Sequence, residues 1–448
     1  MENKSLLQKY GAYAVALVLF IAIACIYCSP ALEGKVIHSG DSTSAAAAVH
    51  ESTEYTRNTG DYSFWTGSMF SGMPNYQIGG GHYEANDWLK PFRKIMLKGH
   101  WSTPWIFIIF FVCFYMLMRA FSINKWLSIV GALATGFSSY FFIIVQAGHN
   151  SKTSPIALIS VVAAGFYLLF RKRYRCGVVL TMLFTAIGFG NHPQMSYCLF
   201  MMIGLFFFAE LYIHIKEKRY KDLAIGSLLF FGSLIVGLGT GSSTIFVNQE
   251  YAEQTMRGGH SDLKKSTDSE NKTKGLDLDY ATQWSYGIDE SLSFIIPGVM
   301  GGASSYDVGT DSELYKSLVK HGVPRNSAAQ FCSNAPLYWG DQPFTAGNVY
   351  MGAIVCFLFV LGLLIVKGPY KWAILAATLF SVFLAWGHNF MPLTEFFFKY
   401  FPLYNKFRAV SSILIVAEIT MPLLGFLAVK VLMDGTITRK KAIKNIYI

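Results

Sequence analysis

The chain has 448 residues, of which 53% are hydrophobic, 16% aromatic and 14% charged. Soluble domains carry about 25% charged residues. This balance, with a mean hydropathy of +0.37, excludes disorder and an ordinary water-soluble fold. The apolar residues come in long blocks rather than in alternation, which excludes a lipid-facing β-barrel. The net charge of +10 is read from where the charges fall, and it is no sign of nucleic-acid binding until that is known.

An all-α polytopic membrane protein is expected. A crossing helix needs about 20 apolar residues. Ten blocks qualify or nearly qualify: 11–28, 104–120, 126–147, 155–170, 176–190, 193–215, 222–240, 350–366, 370–386 and 410–430. The first block is read as a retained span and not a signal peptide, because no small-residue cleavage site follows it cleanly. Lys and Arg crowd one set of short connections: 4–9, 119–125, 171–175, 216–221, 367–371 and 430–444. The short connections of the other set hold only Lys152, Lys399, Lys406 and Arg408. The basic side is therefore predicted to be cytoplasmic, with both termini inside. The whole chain, 1–448, reads as one transmembrane domain with two long outer connections, 29–104 and 241–349. Long connections in a compact protein are usually functional, so the work is expected on the extracytoplasmic face. Cys25 and Cys28 have CxxC spacing inside an apolar helix, which reads as packing. No strong internal repeat is visible, which weakens an inverted-repeat transporter reading.

In the first long connection, Asp41 lies about a dozen residues past the membrane exit, before the Ala-rich stretch Ala45 to Ala48. It reads as a helix N-cap, a role Ser42 would also fill. It also reads as a carboxylate held above the lipid surface, where it would act as a general base or bind a divalent cation such as Mg or Mn. The two readings are compatible. The connection closes with Trp88, Phe92, Ile95 and Met96 at helical spacing and Lys90, Arg93, Lys94 and Lys98 mostly opposite, the pattern of an interfacial amphipathic helix.

The second long connection carries Arg257 near its start, a charged middle from Lys264 to Lys274, and the carboxylates Asp277, Asp279, Asp289, Glu290 and Asp341. Most of these read as a solvated, mobile loop. Asp277 and Asp279 would point one way if their segment were extended. Asp341, between aromatics and Pro343, is either a second acid near the site or a turn residue. Lys399, Lys406 and Arg408 cluster among aromatics before the last block, against the positive-inside bias. They read either as headgroup snorkelling or as cations for a lipid phosphate, and Lys152 and Arg257 could join them. His149, His192 and His388 sit at outer span ends. Interfacial or hydrogen-bonded histidine, phosphate contact and a three-histidine zinc site are the readings, the last the least favoured.

Several short motifs together resemble the bacterial YfhO-like membrane protein family. They are Gly40-Asp41-Ser42, a Trp–Ser-Gly-Met-Pro stretch ending at Pro74, Ala147 to Lys152, and Asn191-His192-Pro193-Gln194. The others are Thr255 to Gly259, Lys274 to Gly287, Tyr338 to Pro343 and Asn405 to Ala409. The match runs along nearly the whole chain. Members of that family usually continue further, with more spans and an outer domain. The family is similar in architecture to GT-C class glycosyltransferases, which take sugar from a polyprenyl-phosphate carrier on the outer face and keep an acidic residue early in the first outer loop. The resemblance therefore implies that Asp41 is that acid, and that the donor is a polyprenyl-phosphate sugar. The expected acceptor is an envelope glycan, polymer or lipid at the bacterial cytoplasmic membrane, with inversion at the anomeric carbon. Asp341 is carried as a second catalytic candidate, and Arg408, Lys406, Arg257, Lys152 and Lys399 as lipid-phosphate ligands. The rivals are a lipid or glycan flippase or transporter, for which Glu418 is the best feature, and a non-catalytic scaffold of envelope assembly.

Overall fold

The computed structural model describes residues 6–78, 89, 91, 103–189, 192–258 and 275–435. The expected amphipathic helix at 88–98, apart from residues 89 and 91, the charged stretch 264–274 and the basic residues beyond 435 lie outside the described residues.

Among the described residues, six helices are long and apolar enough to cross a membrane: Tyr10–Tyr27, Thr103–Ala120, Asn150–Phe170, Pro193–Lys216, Tyr220–Gly239 and Val410–Met433. Two further spans are bent pairs. Lys125–Gly136 with Ser139–Gln146 breaks by 47°, and Tyr370–Ala385 with Gly387–Tyr400 by 113°. Counting each pair once gives eight. The remaining two apolar blocks fall on shorter helices, Tyr174–Gly188 and Ala353–Ile365.

Sequence dictates which of these lie inside. Asn150–Phe170 and Val410–Met433 are apolar all round and are the most enclosed helices, while Tyr10–Tyr27 and Tyr220–Gly239 leave most of their apolar surface uncovered. A helix that exposes that much apolar surface is stable only in hydrocarbon, so a lipid bilayer is the medium of the fold. Helix packing here relies on small residues, because lipid is as apolar as leucine and gives no hydrophobic drive between helices. A Cβ on Gly165 would lie 2.7 Å from Thr181 Oγ1, and one on Gly362 would lie 2.8 Å from the Leu424 carbonyl. Helices Asn150–Phe170 and Tyr174–Gly188, and Ala353–Ile365 and Ile415–Met433, approach at those points.

The first bent pair breaks where a neighbouring segment takes over its backbone bonds. Ser139 N–H donates to the Tyr350 carbonyl (3.1 Å), and Ser139 Oγ donates to the Asn348 carbonyl (2.7 Å). Serine supports such breaks because its hydroxyl offers the backbone another partner.

The two long connections are folded structures over their described residues. Gly40–Thr59 is a 20-residue helix, which begins before the Ala-rich stretch as the capping residues suggested and runs well beyond it. The Trp–Ser-Gly-Met-Pro stretch is a two-stranded hairpin with Trp65 opposite Pro74 and Thr66 opposite Met73. Gly72 (φ +119°) closes it, with space for no side chain: a Cβ there would be 2.7 Å from Trp65 Nε1. The expected mobile loop is compact over 275–349, with helices Leu278–Thr282, Glu313–Lys320 and Arg325–Cys332. The two connections also touch, since Gln77 Nε2 donates to Asn248 Oδ1 at 2.9 Å.

Candidate functional site

Asp41 stands in the first turn of helix Gly40–Thr59, but it is not the cap. Ser39 is the N-cap, its Oγ accepting from Ser42 N–H at 3.4 Å. The expected capping role therefore falls two residues earlier, on Ser39, leaving the Asp41 carboxylate to reach outward. Its Oδ2 lies 3.0 Å from His149 Nε2. The contact is possible because the turn before helix Asn150–Phe170 contains Gly148 (φ +81°). A Cβ on Gly148 would lie 2.2 Å from Ser39 Oγ and 3.0 Å from Ser42 Oγ.

The protonation of His149 follows from its neighbours. Lys152 Nζ is 3.4 Å from His149 Nδ1, and an ammonium only donates, so Nδ1 is the acceptor. The ring proton is then on Nε2 and points at Asp41. Burial, and then the Lys152 ammonium, push His149 down to about 4 despite Asp41, which favours the charged form. The ring is neutral near pH 7, and Lys152, His149 and Asp41 form a directed chain of hydrogen bonds ending on a carboxylate that is 63% exposed.

Cations converge on this chain. Arg408 stacks on Tyr280 and Trp284, its guanidinium carbon 5.6 and 5.8 Å from the ring centroids. It also donates to Tyr280 Oη at 2.5 Å. Arg408 lies within electrostatic reach of His149, Lys152 and Arg257. Burial, and then Arg408, push the Arg257 guanidinium below its ordinary range. His192, at the start of helix Pro193–Lys216, is pushed down to about 4 by burial and then by Lys152, His149 and Arg257. Its Nδ1 has no hydrogen-bond partner among the described residues. Arg257 and Lys406 clasp each other: Arg257 donates to the Lys406 carbonyl, and Lys406 Nζ donates to the Arg257 carbonyl at 2.7 Å.

The segment carrying Lys406 and Arg408 is held tightly. Gln194 Nε2 donates to the Arg408 carbonyl (2.6 Å) and Tyr197 Oη to the Pro402 carbonyl (2.6 Å). Leu403 and Ala409, both non-glycine, take left-handed conformations at φ +63° and +57°. Each such residue costs on the order of 1–3 kcal/mol and persists only where the surroundings impose it. Leu276 N–H donates to the Asn405 carbonyl (2.9 Å). Segments that are far apart in the chain, around 41, 149, 192, 257, 276 and 408, therefore meet in one corner.

Other sequence candidates lie elsewhere. Asp341 Oδ2 accepts from Asn389 Nδ2 at 3.1 Å, beside Glu290 and not beside Asp41. Glu290 is fully buried and accepts from Gly287 N–H (3.1 Å), Tyr338 Oη (3.0 Å) and Gln342 Nε2 (3.2 Å). Burial pushes its carboxyl above the ordinary range, and these donors oppose the shift. Sequence reading placed Glu290 in a solvated loop, and the structure makes it the buried anchor of the 275–349 segment. Asp277 and Asp279 do not alternate along an extended segment, because Asp277 caps helix Leu278–Thr282 through Tyr280 N–H (3.1 Å). His388 lies 3.1 Å from the Thr282 carbonyl through Nδ1, which therefore carries the proton. Lys399 Nζ lies over the Tyr400 ring at 5.7 Å. Tyr280 and Gln194 are site residues that sequence reading missed. Their roles come from a ring and an amide meeting Arg408 across the fold, and no local pattern signals that.

Among the described residues no group of three or more His, Cys, Asp or Glu is gathered for a metal. One carboxylate among three cations does not suit a hard divalent ion, which takes several oxygen ligands. The arrangement suits an anion instead, with Lys152 within electrostatic reach of Asp41 and Arg408, and Arg408 within reach of Arg257. No protein-family profile, no curated protein and no solved structure matches this chain.

Proposed function

We propose that the chain is a membrane glycosyltransferase of GT-C-like, YfhO-like type, working on the extracytoplasmic face of the bacterial cytoplasmic membrane with both termini inside. The donor is a polyprenyl-phosphate sugar, and the acceptor is an envelope glycan, polymer or lipid hydroxyl. The observation that carries the reading is the exposed Asp41 carboxylate, held by His149 at 3.0 Å in a corner with more cations than acids.

In the proposed reaction the acceptor hydroxyl gives its proton to the Asp41 oxygen not bonded to His149. The acceptor oxygen attacks the anomeric carbon as the bond from that carbon to the phosphate oxygen breaks. The phosphate leaves with the electron pair and inversion results. Arg408, exposed on its aromatic platform, takes the phosphate in a forked contact. Lys152 and the Arg257–Lys406 clasp add positive potential where charge develops. The neutral His149 orients Asp41 and stays neutral, and no step is routed through a metal. Polyprenyl-phosphate sugar turnover by the purified chain in proteoliposomes tests the reading. Loss of transfer in Asp41→Asn with normal protein levels is the expected result, and full activity in that variant rejects the assignment.

One observation favours a second reading, a lipid or glycan transporter. Glu418 is fully buried in helix Ile415–Met433, with the Ser138 hydroxyl as its polar neighbour and no cation paired with it among the described residues. Ionisable groups at such depth mark transport paths. Substrate translocation lost in Glu418→Gln, with sugar transfer intact, would select this reading.

A further inference from the structure

At the end of the bundle away from Asp41, helices Pro193–Lys216 and Tyr370–Ala385 pack side by side. They leave between them a trough of about 550 Å³. Its length is apolar, formed by Leu205, Phe208 and Ala376. Its flanks are open, since Phe208, Tyr212 and Trp372 are all more than half exposed. Two cations close one end, Lys216 from the last turn of one helix and Lys371 from the first turn of the other.

Both lysines are positioned. Lys371 Nζ donates to the Leu363 carbonyl at 2.9 Å and lies 4.9 Å from the Trp372 ring centre. Lys216 Nζ lies 5.6 Å from the Tyr212 ring centre. Among the described residues neither lysine is ion-paired, because the nearby acids are engaged elsewhere: Glu210 with Arg171, and Glu217 with Arg219. Gly368 (φ +101°) borders the cationic end and leaves open space where a side chain would stand. From Leu205 to Lys216 the helix rises about 16 Å, about half of a ~30 Å hydrocarbon core. The trough therefore spans one leaflet.

We propose that this trough is a binding site for an anionic glycerophospholipid of that leaflet, its phosphate between Lys216 and Lys371 and one acyl chain along Leu205, Phe208 and Ala376. The chemistry selects the occupant. A soluble phosphate compound makes no use of the apolar length, and a zwitterionic lipid gains little from two uncompensated lysines. A lysine at the membrane surface is worth about fivefold in affinity for anionic lipid, and the aromatic pair marks the interface depth. The site is independent of sugar transfer and lies at the opposite end of the helices.

Native mass spectrometry of the full chain, released from vesicles of equal phosphatidylglycerol and phosphatidylcholine with matched acyl chains, tests it. The wild-type chain retains phosphatidylglycerol by about tenfold or more over phosphatidylcholine. Lys216→Gln with Lys371→Gln removes the preference, while Lys216→Arg with Lys371→Arg keeps it, so a folding defect is separated from a charge effect. Leu205→Trp, which fills the trough, lowers retention with both lysines present. The Asp41→Asn variant retains the lipid as wild type does, whatever becomes of the transfer reaction. Equal retention of the two lipids by the wild type, or an unchanged preference in the glutamine pair, overturns the proposal. So does a dimer that Leu205→Trp abolishes, which would make a second copy of the chain the occupant.

Discussion

Two corners of this molecule are built from the same chemical kit and do opposite things with it. At the basic end, Glu210 is fully buried. It meets Arg171 at 3.0 Å, Tyr370 Oη at 2.5 Å and His214 Nδ1 at 3.4 Å. At the other end, Asp41 meets His149 at 3.0 Å, with Lys152, Arg257 and Arg408 near by. Both corners hold a carboxylate, a histidine and cations. Glu210 is closed on every side by donors, and Arg171 in turn lies over the Tyr167 ring at 4.4 Å. Asp41 is 63% exposed and outnumbered by cations. A buried carboxylate whose donors are all protein groups ties helices together, and a buried pair of that kind is costly to break. An exposed carboxylate beside surplus positive charge has room for a partner that is not protein.

Changing one group in each corner should separate these roles. The largest effect is expected from Asp41→Asn. Sugar transfer in proteoliposomes falls about 100-fold or more, while the melting temperature in detergent stays at the wild-type value. Glu210→Ala does the reverse. It leaves the half-buried Arg171 and Tyr370 without their acceptor and lowers stability by about 1–3 kcal/mol, measured by chemical denaturation in micelles, with activity per folded molecule unchanged. If Glu210→Ala abolished transfer in folded protein, the contrast between the corners would fail. Next, Arg408→Ala lowers kcat by about 100-fold, and Arg408→Lys restores part of it, because an ammonium lacks the forked geometry. Equal rates in the two variants would remove Arg408 from the phosphate.

The smallest effect is in pH. His149 and His192 are both pushed from about 6.5 to about 4 in the folded chain. Between those values the unfolded chain binds more protons than the folded one, so stability falls as pH drops through that window and is fully present above it. Melting curves from pH 7 to 4.5 should show this slope. The His149→Gln, His192→Gln double variant should flatten it.

Much of this was legible in the sequence, for identifiable reasons. All ten apolar blocks fall on helices because hydrocarbon demands that every backbone bond be satisfied within a segment, and hydropathy measures that demand directly. Bends are not legible in the same way. The break at Ser138–Ser139 depends on carbonyls of Asn348 and Tyr350, which are more than 200 residues away. The site was legible where a cation defied the charge bias: Lys152, Lys406 and Arg408 do come together, joined by Arg257 from the second long connection, while Lys399 lies over the Tyr400 ring. It was not legible where a polar residue sat in an ordinary-looking loop. Asp341 and His388 belong to the neighbourhood of Glu290 and Thr282, and nothing in their local spacing separates them from Asp41 and His149. The helix Gly40–Thr59 was legible at its start, from a capping residue before an Ala-rich stretch, but its polar second half has no periodicity to mark where it ends.

The seat of Gly148 against Ser39 and Ser42 carries a consequence of its own. A single hydrogen atom at that α-carbon, where any other amino acid would bring a carbon, decides whether the acid-bearing helix can settle beside its imidazole. The most economical way to silence this corner of the molecule is one methyl group placed on an uncharged residue, leaving every ionisable group intact.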